Sequence, residues 1–289
     1  MTVRALAPAS TANLGPAFDC AAAALELWNE VVVEEADEGA VEIEGEGAAE
    51  LPRDASHLTL RAFALFAPVE RYRFSFINRI PLERGLGSSA AAIALGLVAG
   101  SAVAGKSTAP DELLSHAVRL EGHADNVAAA LLGGVCVAWW NGGDVRAARI
   151  ADDLPLASVL AVPAARTSTA QSRNGLPDTV AHADAAANAG FAALLGAAVA
   201  SGDAELLRAA FQDRLHEQYR ADGAPLLGVI RASATEDAVG VTLSGSGPSV
   251  VVWAPHDRAE AVAERLRASL PDDTRVLPLR VAQRGARLA

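Results

Sequence analysis

Five consecutive residues, Gly85-Leu86-Gly87-Ser88-Ser89, are of the types that hold an anion. Glycine reaches backbone conformations closed to other residues and lets a ligand approach the chain, while serine supplies a hydroxyl and a helix cap. A helix opening at Ser88 aims its unpaired N–H groups and the positive end of its dipole out of the turn, which suits phosphate. The same residues also make an ordinary capped helix start, so other segments must decide between the two.

Glu121 is the next informative residue. Spacing of i, i+3, i+4 and i+7 puts Leu114, Ala117 and Val118 on its helix face, so its carboxylate needs a partner, either an arginine or a cation. Magnesium on a nucleotide phosphate takes one or two protein oxygens, which Glu121 and a serine of the glycine turn would supply. The loop PASTANLGPAFD, Pro8 to Asp19, is long and irregular. Its Asn13 and Asp19 serve either as turn residues or as ligand-facing groups. Arg173 and Arg220 have the fork that binds a carboxylate bidentately, as surface arginines also do, and TLSGSGPSV is a third Gly/Ser turn between strands.

A rival phosphate motif occurs at Gly100 to Ser107, GSAVAGKS, which fits G-x-x-x-x-G-K-[ST]. That pattern needs a strand before its loop, whereas residues 88 to 99 are Ala-rich with no β-branched run. Pro110, Asp111 and Glu112 open a helix beyond the lysine, so GKST is predicted to be an inter-helix loop. Residues 85 to 105 carry no charge, yet their small side chains and missing basic flanks predict a buried helix and not a membrane span.

The elements that must position these groups are strands at Val3–Ala7, Ala21–Leu27, Asn29–Glu35, Val41–Glu44 and around Tyr72–Phe76, then Val135–Trp139, Ser158–Val162, Val239–Leu243, Val250–Trp253 and 275–281. Asn29–Glu35 and Val41–Glu44 read as a hairpin about Asp37-Glu38-Gly39. Helices are expected over Ser56–Phe66, from Ser88, over Pro110–Glu121 and Asp125–Leu132, then at 179–200, 203–219, Pro225–Ala234 and 257–269. Irregular mixing of the two types predicts an α+β class. A net charge of −11 argues against nucleic acid or an anionic membrane as partner. The start, MTVRALAPAS, lacks an apolar signal core, so a cytoplasmic protein is expected. Cys20 and Cys136 have no metal-ligand spacing and read as buried thiols. Lys106 is the only lysine, which leaves arginine, backbone amides and metal to meet phosphate.

Four segments in this order, PASTANLGPAFD, IPLERGLGSSAAA, EGHADNVAAALLGG and GVTLSGSGPSV, resemble the signature segments of the GHMP kinases and, among them, of the homoserine kinases. Mevalonate kinase and its relatives are similar in the later loops but carry a lysine in the first, where this chain has Ala9-Ser10-Thr11-Ala12-Asn13. The resemblance implies a two-domain GHMP kinase fold: an N-terminal nucleotide-binding α/β domain over 1–154, a C-terminal ferredoxin-like α+β domain over 155–289, and the site between them. It implies ATP-dependent phosphorylation of the side-chain hydroxyl of L-homoserine to O-phospho-L-homoserine, a step of threonine biosynthesis, with Mg2+ and with a homodimer as the assembly. A kinase for another small alcohol and a non-catalytic ligand sensor of the same fold are the alternatives.

Carried over by position, Pro81, Leu82, Glu83, Arg84, Gly85, Leu86, Gly87, Ser88, Ser89, Ala90 and Ala91 would surround the nucleotide phosphates, with His57 near the adenine. Ser88 or Ser89 and Glu121 would hold the metal. Asn13 and Asp19 would face homoserine, Asp19 beside the acceptor hydroxyl, and these two with Glu121 form the catalytic set. Arg173 and Arg220 would take the substrate carboxylate, Arg214 being the alternative to Arg220, and Gly245, Ser246 and Gly247 would shape the site. Two departures stand out: Ala17 where glycine is usual, which predicts a looser first loop, and His57 where asparagine is frequent.

Overall fold

A computed structural model describes residues 1–233 and 237–289, apart from the side chains of 169–171. In chain order the elements are β1 (Thr2–Ala12), β2 (Ala21–Glu35), β3 (Ala40–Gly45), α1 (Leu58–Phe63), β4 (Tyr72–Asn78), α2 (Ser88–Val103), α3 (Pro110–Glu121), α4 (Asp125–Leu132), β5 (Val135–Asn141) and β6 (Asp144–Ala151). They continue as β7 (Leu156–Val162), α5 (Thr169–Asn174), α6 (His182–Ser201), α7 (Ala204–Ala210), α8 (Glu217–Arg220), α9 (Pro225–Ser233), β8 (Gly240–Leu243), β9 (Val250–Pro255), α10 (Ala259–Ser269), β10 (Arg275–Leu279) and β11 (Arg287–Leu288).

The first sheet runs β11-β1-β2-β4-β3, and the N-terminal part of β2 also pairs β5, which pairs β6. The expected hairpin of β2 and β3 does not form, because β4 lies between them, antiparallel to β2 and parallel to β3. Tyr72, Phe74 and Phe76 alternate as expected, and pairing of β4 on both sides completes the backbone bonds of that strand. β2 is one 15-residue strand, not two, and its pairing with β1 shifts register between Pro8 and Ala9. Beyond that irregularity the end of β1 holds Ser10 against Leu86 and Asn126 and Thr11 against Ser244.

Helix α2 lies against this sheet. From Ala90 to Ser101 every residue except Ala92 is buried, which accounts for the uncharged run: the helix is apolar all round because it is enclosed all round. Lys106 follows the helix and lies over the Phe66 ring at 5.4 Å, so the GKS pattern begins inside a helix and ends in a loop. Helices α3 and α4 occupy the predicted residues. Gly122, at φ 85°, closes α3 and accepts a left-handed backbone at no steric cost.

The second sheet has the order β10-β7-β9-β8, fully antiparallel, and α10 packs on it. The β7, helices, β8, β9, α10, β10 succession is the split βαβ arrangement of a ferredoxin-like unit. Three elements were not foreseen from the pattern: β6, read as loop; α5; and β11, which returns the chain to β1. The helix expected at 203–219 is two, α7 and α8. Asp213 interrupts it by accepting the backbone N–H of Leu215, His216 and Glu217 at 3.1, 2.9 and 2.8 Å. Ala234, the predicted end of α9, lies outside the described residues. One helix among those described, α6, is long and apolar enough to cross a membrane; its window has a mean hydropathy of 1.4 and is 22% buried.

Candidate active site

The anion turn is built by close packing. Gly85 and Gly87 have φ of 72° and 65°, and a Cβ on either would lie 2.0 Å from Ser244 O and from Ser10 Oγ respectively, so no larger residue fits. Ser10 N–H donates to Leu86 O at 3.1 Å, and the Ser244 hydroxyl donates to Gly85 O at 2.7 Å. The glycine turn is thus clamped between the end of β1, which runs through Pro8–Ala12 where a loop was expected, and the SGSGPS turn. The first helical bond of α2 runs from Ala91 N–H to Gly87 O, which leaves the N–H groups of Ser88, Ser89 and Ala90 without helical partners. Ser88 and Ser89 themselves border a cavity of about 210 Å³.

That cavity is lined from both sheets' segments: Asn13 and Asp19, the turn from Gly85 to Ser89 with Glu83, then Glu121, His123, Asp125 and Asn126, Thr167, Ser168 and Arg173, Arg220, and Gly245 with Ser246. Ser89 Oγ donates to Glu121 Oε1 at 2.6 Å, a hydroxyl and a carboxylate at the mouth of the anion turn. Burial pushes the Glu121 carboxyl up, against the pull of the Ser89 hydrogen bond. Among the described residues no three His, Cys, Asp or Glu form a metal cluster. A cation here would therefore need non-protein oxygens as well.

The opposite wall is ionic. Arg173 Nη2 meets Asp19 Oδ1 at 2.6 Å, and the guanidinium groups of Arg173 and Arg220 lie 5.7 and 5.2 Å from the Phe18 ring centre. Nε of each is enclosed with no partner. Arg220 is fixed by Gly245 O and His216 Nδ1, each 3.2 Å away. His216 Nε2 lies 2.9 Å from Gly15 O, so Nε2 carries the hydrogen and Nδ1 accepts. Burial lowers the His216 pKa, which keeps it neutral beside the cation. Desolvation also lowers the Arg220 pKa. Asp125 is 4% exposed, and burial pushes its carboxyl up to about 6. His123 is held below the ordinary imidazole value by burial and then by Arg173.

Loop Asn13–Asp19 has positive φ at Asn13, Leu14, Gly15 and Asp19. Ala17 is not among them; its N–H donates to Asn13 O at 2.9 Å, and its backbone is one that alanine adopts without strain. Asn13 borders the cavity with both amide ends engaged: Nδ2 donates to Gly245 O at 2.9 Å, and Oδ1 accepts from Asp19 N–H at 3.1 Å. Gly247 braces the turn and does not reach the cavity; its N–H donates to Ser244 O at 2.8 Å. Arg214 is exposed and borders a different cavity.

Of the run from Pro81 to Ala91, Glu83 and Gly85 to Ser89 line the cavity. Pro81, Ala90 and Ala91 are core residues, and Arg84 donates from Nε and Nη2 to Pro163 O and Ala164 O at 2.8 and 2.7 Å. Leu82 and His57 line an adjoining cavity of about 410 Å³, which shares Glu83, Ser88 and Ser89 with the first. His123, Asp125, Asn126, Thr167 and Ser168 were not singled out from the sequence. Asp125 carried a signal, a carboxylate opening an otherwise Ala-rich helix, but that position is also where an ordinary helix favours an acid.

Residues 51–134 match the family GHMP kinases N terminal domain and residues 193–272 match GHMP kinases C terminal. The homoserine kinase of Streptomyces coelicolor is 44% identical over 269 residues, spanning 90% of this chain and 87% of that protein. The chain belongs to the homoserine kinases. That of a Synechococcus strain is 40% identical, with 92% and 90% covered. Among solved structures, the homoserine kinase of Cytophaga hutchinsonii superposes with a TM-score of 0.87 at 26% identity, covering 100% of this chain and 97% of that one. A putative homoserine kinase of Listeria monocytogenes gives 0.84 at 30% identity with 99% of each covered. The homoserine kinase assignment makes the chain a GHMP-fold enzyme that uses ATP.

Proposed function

We propose that this homoserine kinase transfers the γ-phosphoryl group of ATP to the side-chain hydroxyl of L-homoserine, giving O-phospho-L-homoserine and ADP, the entry to threonine biosynthesis. The observation that carries this reading is the pairing, within one cavity, of a helix-opening anion turn with two arginines and two aspartates. A free amino acid is a zwitterion. Arg173 and Arg220 match its carboxylate, and Asp125 matches its ammonium group. A sugar or a mevalonate-like acid has no use for both sets.

The turn from Gly85 to Ser89 takes the phosphates through backbone N–H groups, and the adjoining cavity beside His57 takes the base. Ser89 and Glu121 fit a magnesium ion: two hard oxygens, one ionisable, already 2.6 Å apart beside the turn, with the remaining ligands left to phosphate and water. When bound, the ion neutralises charge on the phosphates. Ser88 is the neighbouring hydroxyl.

Transfer asks for positioning and for charge stabilisation more than for covalent help. The bond from the homoserine oxygen to the γ-phosphorus forms as the bond from that phosphorus to the β,γ-bridging oxygen breaks. Asp19 orients the hydroxyl through the carboxylate oxygen that Arg173 does not hold and receives its proton late. Asn13 acts as a positioning residue, since it ties the Asp19 backbone to Gly245. Gly245 and Ser246 close the site from the second sheet, and Gly247 braces their turn. We place the domain boundary at 154/155, with β11 returning to the first sheet. A homodimer and a cytoplasmic location, where ATP and homoserine meet, complete the proposal.

Phosphorus NMR of a reaction with ATP and homoserine tests it. One phosphate monoester on the homoserine oxygen per ADP formed supports the reading; ATP consumption with inorganic phosphate as the only product overturns it.

A further inference from the structure

His216 is fully buried and touches two segments that carry groups of the cavity wall. It stands at the start of α8, whose last residue is Arg220, and its ring faces the loop from Asn13 to Asp19. His216 Nε2 lies 2.9 Å from Gly15 O, and Nδ1 lies 3.2 Å from Arg220 Nη1, one helical turn on. A carbonyl oxygen only accepts and a guanidinium only donates. The two contacts together therefore admit a single form of the ring, neutral with its hydrogen on Nε2. Phe18 stacks on the imidazole, with centroids 5.2 Å apart and 26° between the planes.

The charged groups around the ring favour the same form. Asp213 Oδ1 is 3.6 Å from Nε2, but that carboxylate already accepts the N–H groups of Leu215, His216 and Glu217. Glu217 is engaged by the N–H of Leu243 and by Arg231. Protonating Nδ1 would set a second cation against Arg220 and turn the acceptor that holds it into a donor. The loop itself is tied to the helices at two consecutive carbonyls. Pro16 O accepts from Asn188 Nδ2 of α6 at 2.8 Å, and Gly15 O accepts from His216, whose contact continues to Arg220.

We propose that His216 is a positioning residue that sets the register between the two ends of the substrate: its Nε2–H holds the loop that carries Asp19, and its Nδ1 holds the Arg220 guanidinium. The assignment rests on the reading above, in which Asp19 meets the homoserine hydroxyl and Arg220 its carboxylate. One rigid ring fixes both contacts relative to each other, since its two nitrogens cannot move independently. Loosening the loop side misplaces the hydroxyl and lowers kcat; loosening the arginine side weakens binding and raises the homoserine KM.

Two amides separate the two nitrogens. In His216→Asn the side-chain oxygen falls near the place of Nδ1 and still accepts from Arg220, but the amide is too short to reach Gly15 O. In His216→Gln the NH2 group falls near the place of Nε2 and keeps Gly15 O, while Arg220 loses its acceptor. His216→Asn is expected to lower kcat about ten- to a hundredfold with the homoserine KM held. His216→Gln is expected to do the reverse, raising that KM about tenfold with kcat held, the order of one hydrogen bond to a charged group. Combined with Arg220→Ala, His216→Gln should raise the KM little further, because the group it positions is gone. Nitrogen-15 NMR of the unaltered protein, which depends on no variant folding, should find the His216 ring neutral with its hydrogen on Nε2. The proposal is overturned by the same kcat and KM changes in both variants, by a full His216→Gln effect on top of Arg220→Ala, or by a hydrogen on Nδ1. An unchanged homoserine KM in Arg220→Ala alone would instead sink the carboxylate reading beneath it, so the two failures are distinct.

Discussion

The two walls of the main cavity solve opposite problems with opposite materials. On the wall we propose for phosphate, the lining is backbone, small residues and the start of a helix, all from one contiguous stretch, Glu83 to Ser89, braced by Ser10 and Ser244. On the wall we propose for the substrate, the lining is charged side chains from separate segments: Asp19, Asp125, Arg173 and Arg220. Backbone dipoles cost nothing to ionise and carry no net charge, so they hold a highly charged group whose shape is common to every nucleotide. Paired side chains cancel part of one another's charge, as Asp19 and Arg173 do. Generic recognition is built locally; specific recognition is assembled from afar.

Glu121 stands where the two walls meet, and its removal should have the largest effect. Glu121→Ala is expected to lower kcat by about a hundred- to a thousandfold, the range for loss of one preorganised group at developing charge, with the thermal midpoint little changed. Activity near that of the unaltered protein at saturating magnesium would contradict the metal assignment.

Arg173→Ala and Arg220→Ala bear on the opposite wall. Truncating a desolvated bidentate contact costs about 2 to 4 kcal/mol, so the homoserine KM should rise about 30- to 1000-fold while ATP binding holds. Homoserine lactone, which has no free carboxylate, should bind weakly to the unaltered protein and lose little more in the variants. Weakened ATP with an unchanged homoserine KM would move these arginines to the phosphate wall.

A smaller effect is expected from pH. Asp125 has its carboxyl pushed up to about 6, above its ordinary 3.8, by burial. In the ligand-free protein its contribution to stability is full below about 4 and is lost as pH rises through about 6. Its ionised form is the one that pairs with an ammonium group, so the homoserine KM should rise about tenfold between pH 7 and pH 5, as expected for a group with that pKa. Asp125→Asn should flatten this dependence; a profile unchanged by the substitution would assign the ammonium to other groups.

Lys106→Ala should change nothing measurable in ATP binding, since its ammonium lies over Phe66 and outside both cavities. A loss of nucleotide affinity would revive the GKS pattern as a phosphate loop.

The contrast between the walls also governs what could be read in advance. The glycine turn, α2, α3 and α4 were legible, because their spacing, caps and terminators are local; Pro110 to Glu121 and Asp125 to Leu132 were foreseen to the residue. The supposed β2–β3 hairpin failed because β4 pairs with both strands, a long-range choice that the acidic turn at Asp37 does not encode. The ion pair of Arg173 with Asp19 spans 154 positions, and nothing near either residue announces the other. Asp125 was passed over for the opposite reason: its local role as a helix-start acid is complete without any ligand. Ala17 illustrates a false alarm, since the strained positions are its neighbours Asn13, Leu14, Gly15 and Asp19.

The central claim, that one cavity joins a nucleotide phosphate turn to a zwitterion site, is tested most directly by ADP release with Mg2+ and ATP against a panel of homoserine, mevalonate, shikimate and galactose. Turnover with homoserine alone is the predicted result, since it alone carries both a carboxylate and an ammonium group. Equal or faster turnover with mevalonate, shikimate or galactose would contradict it.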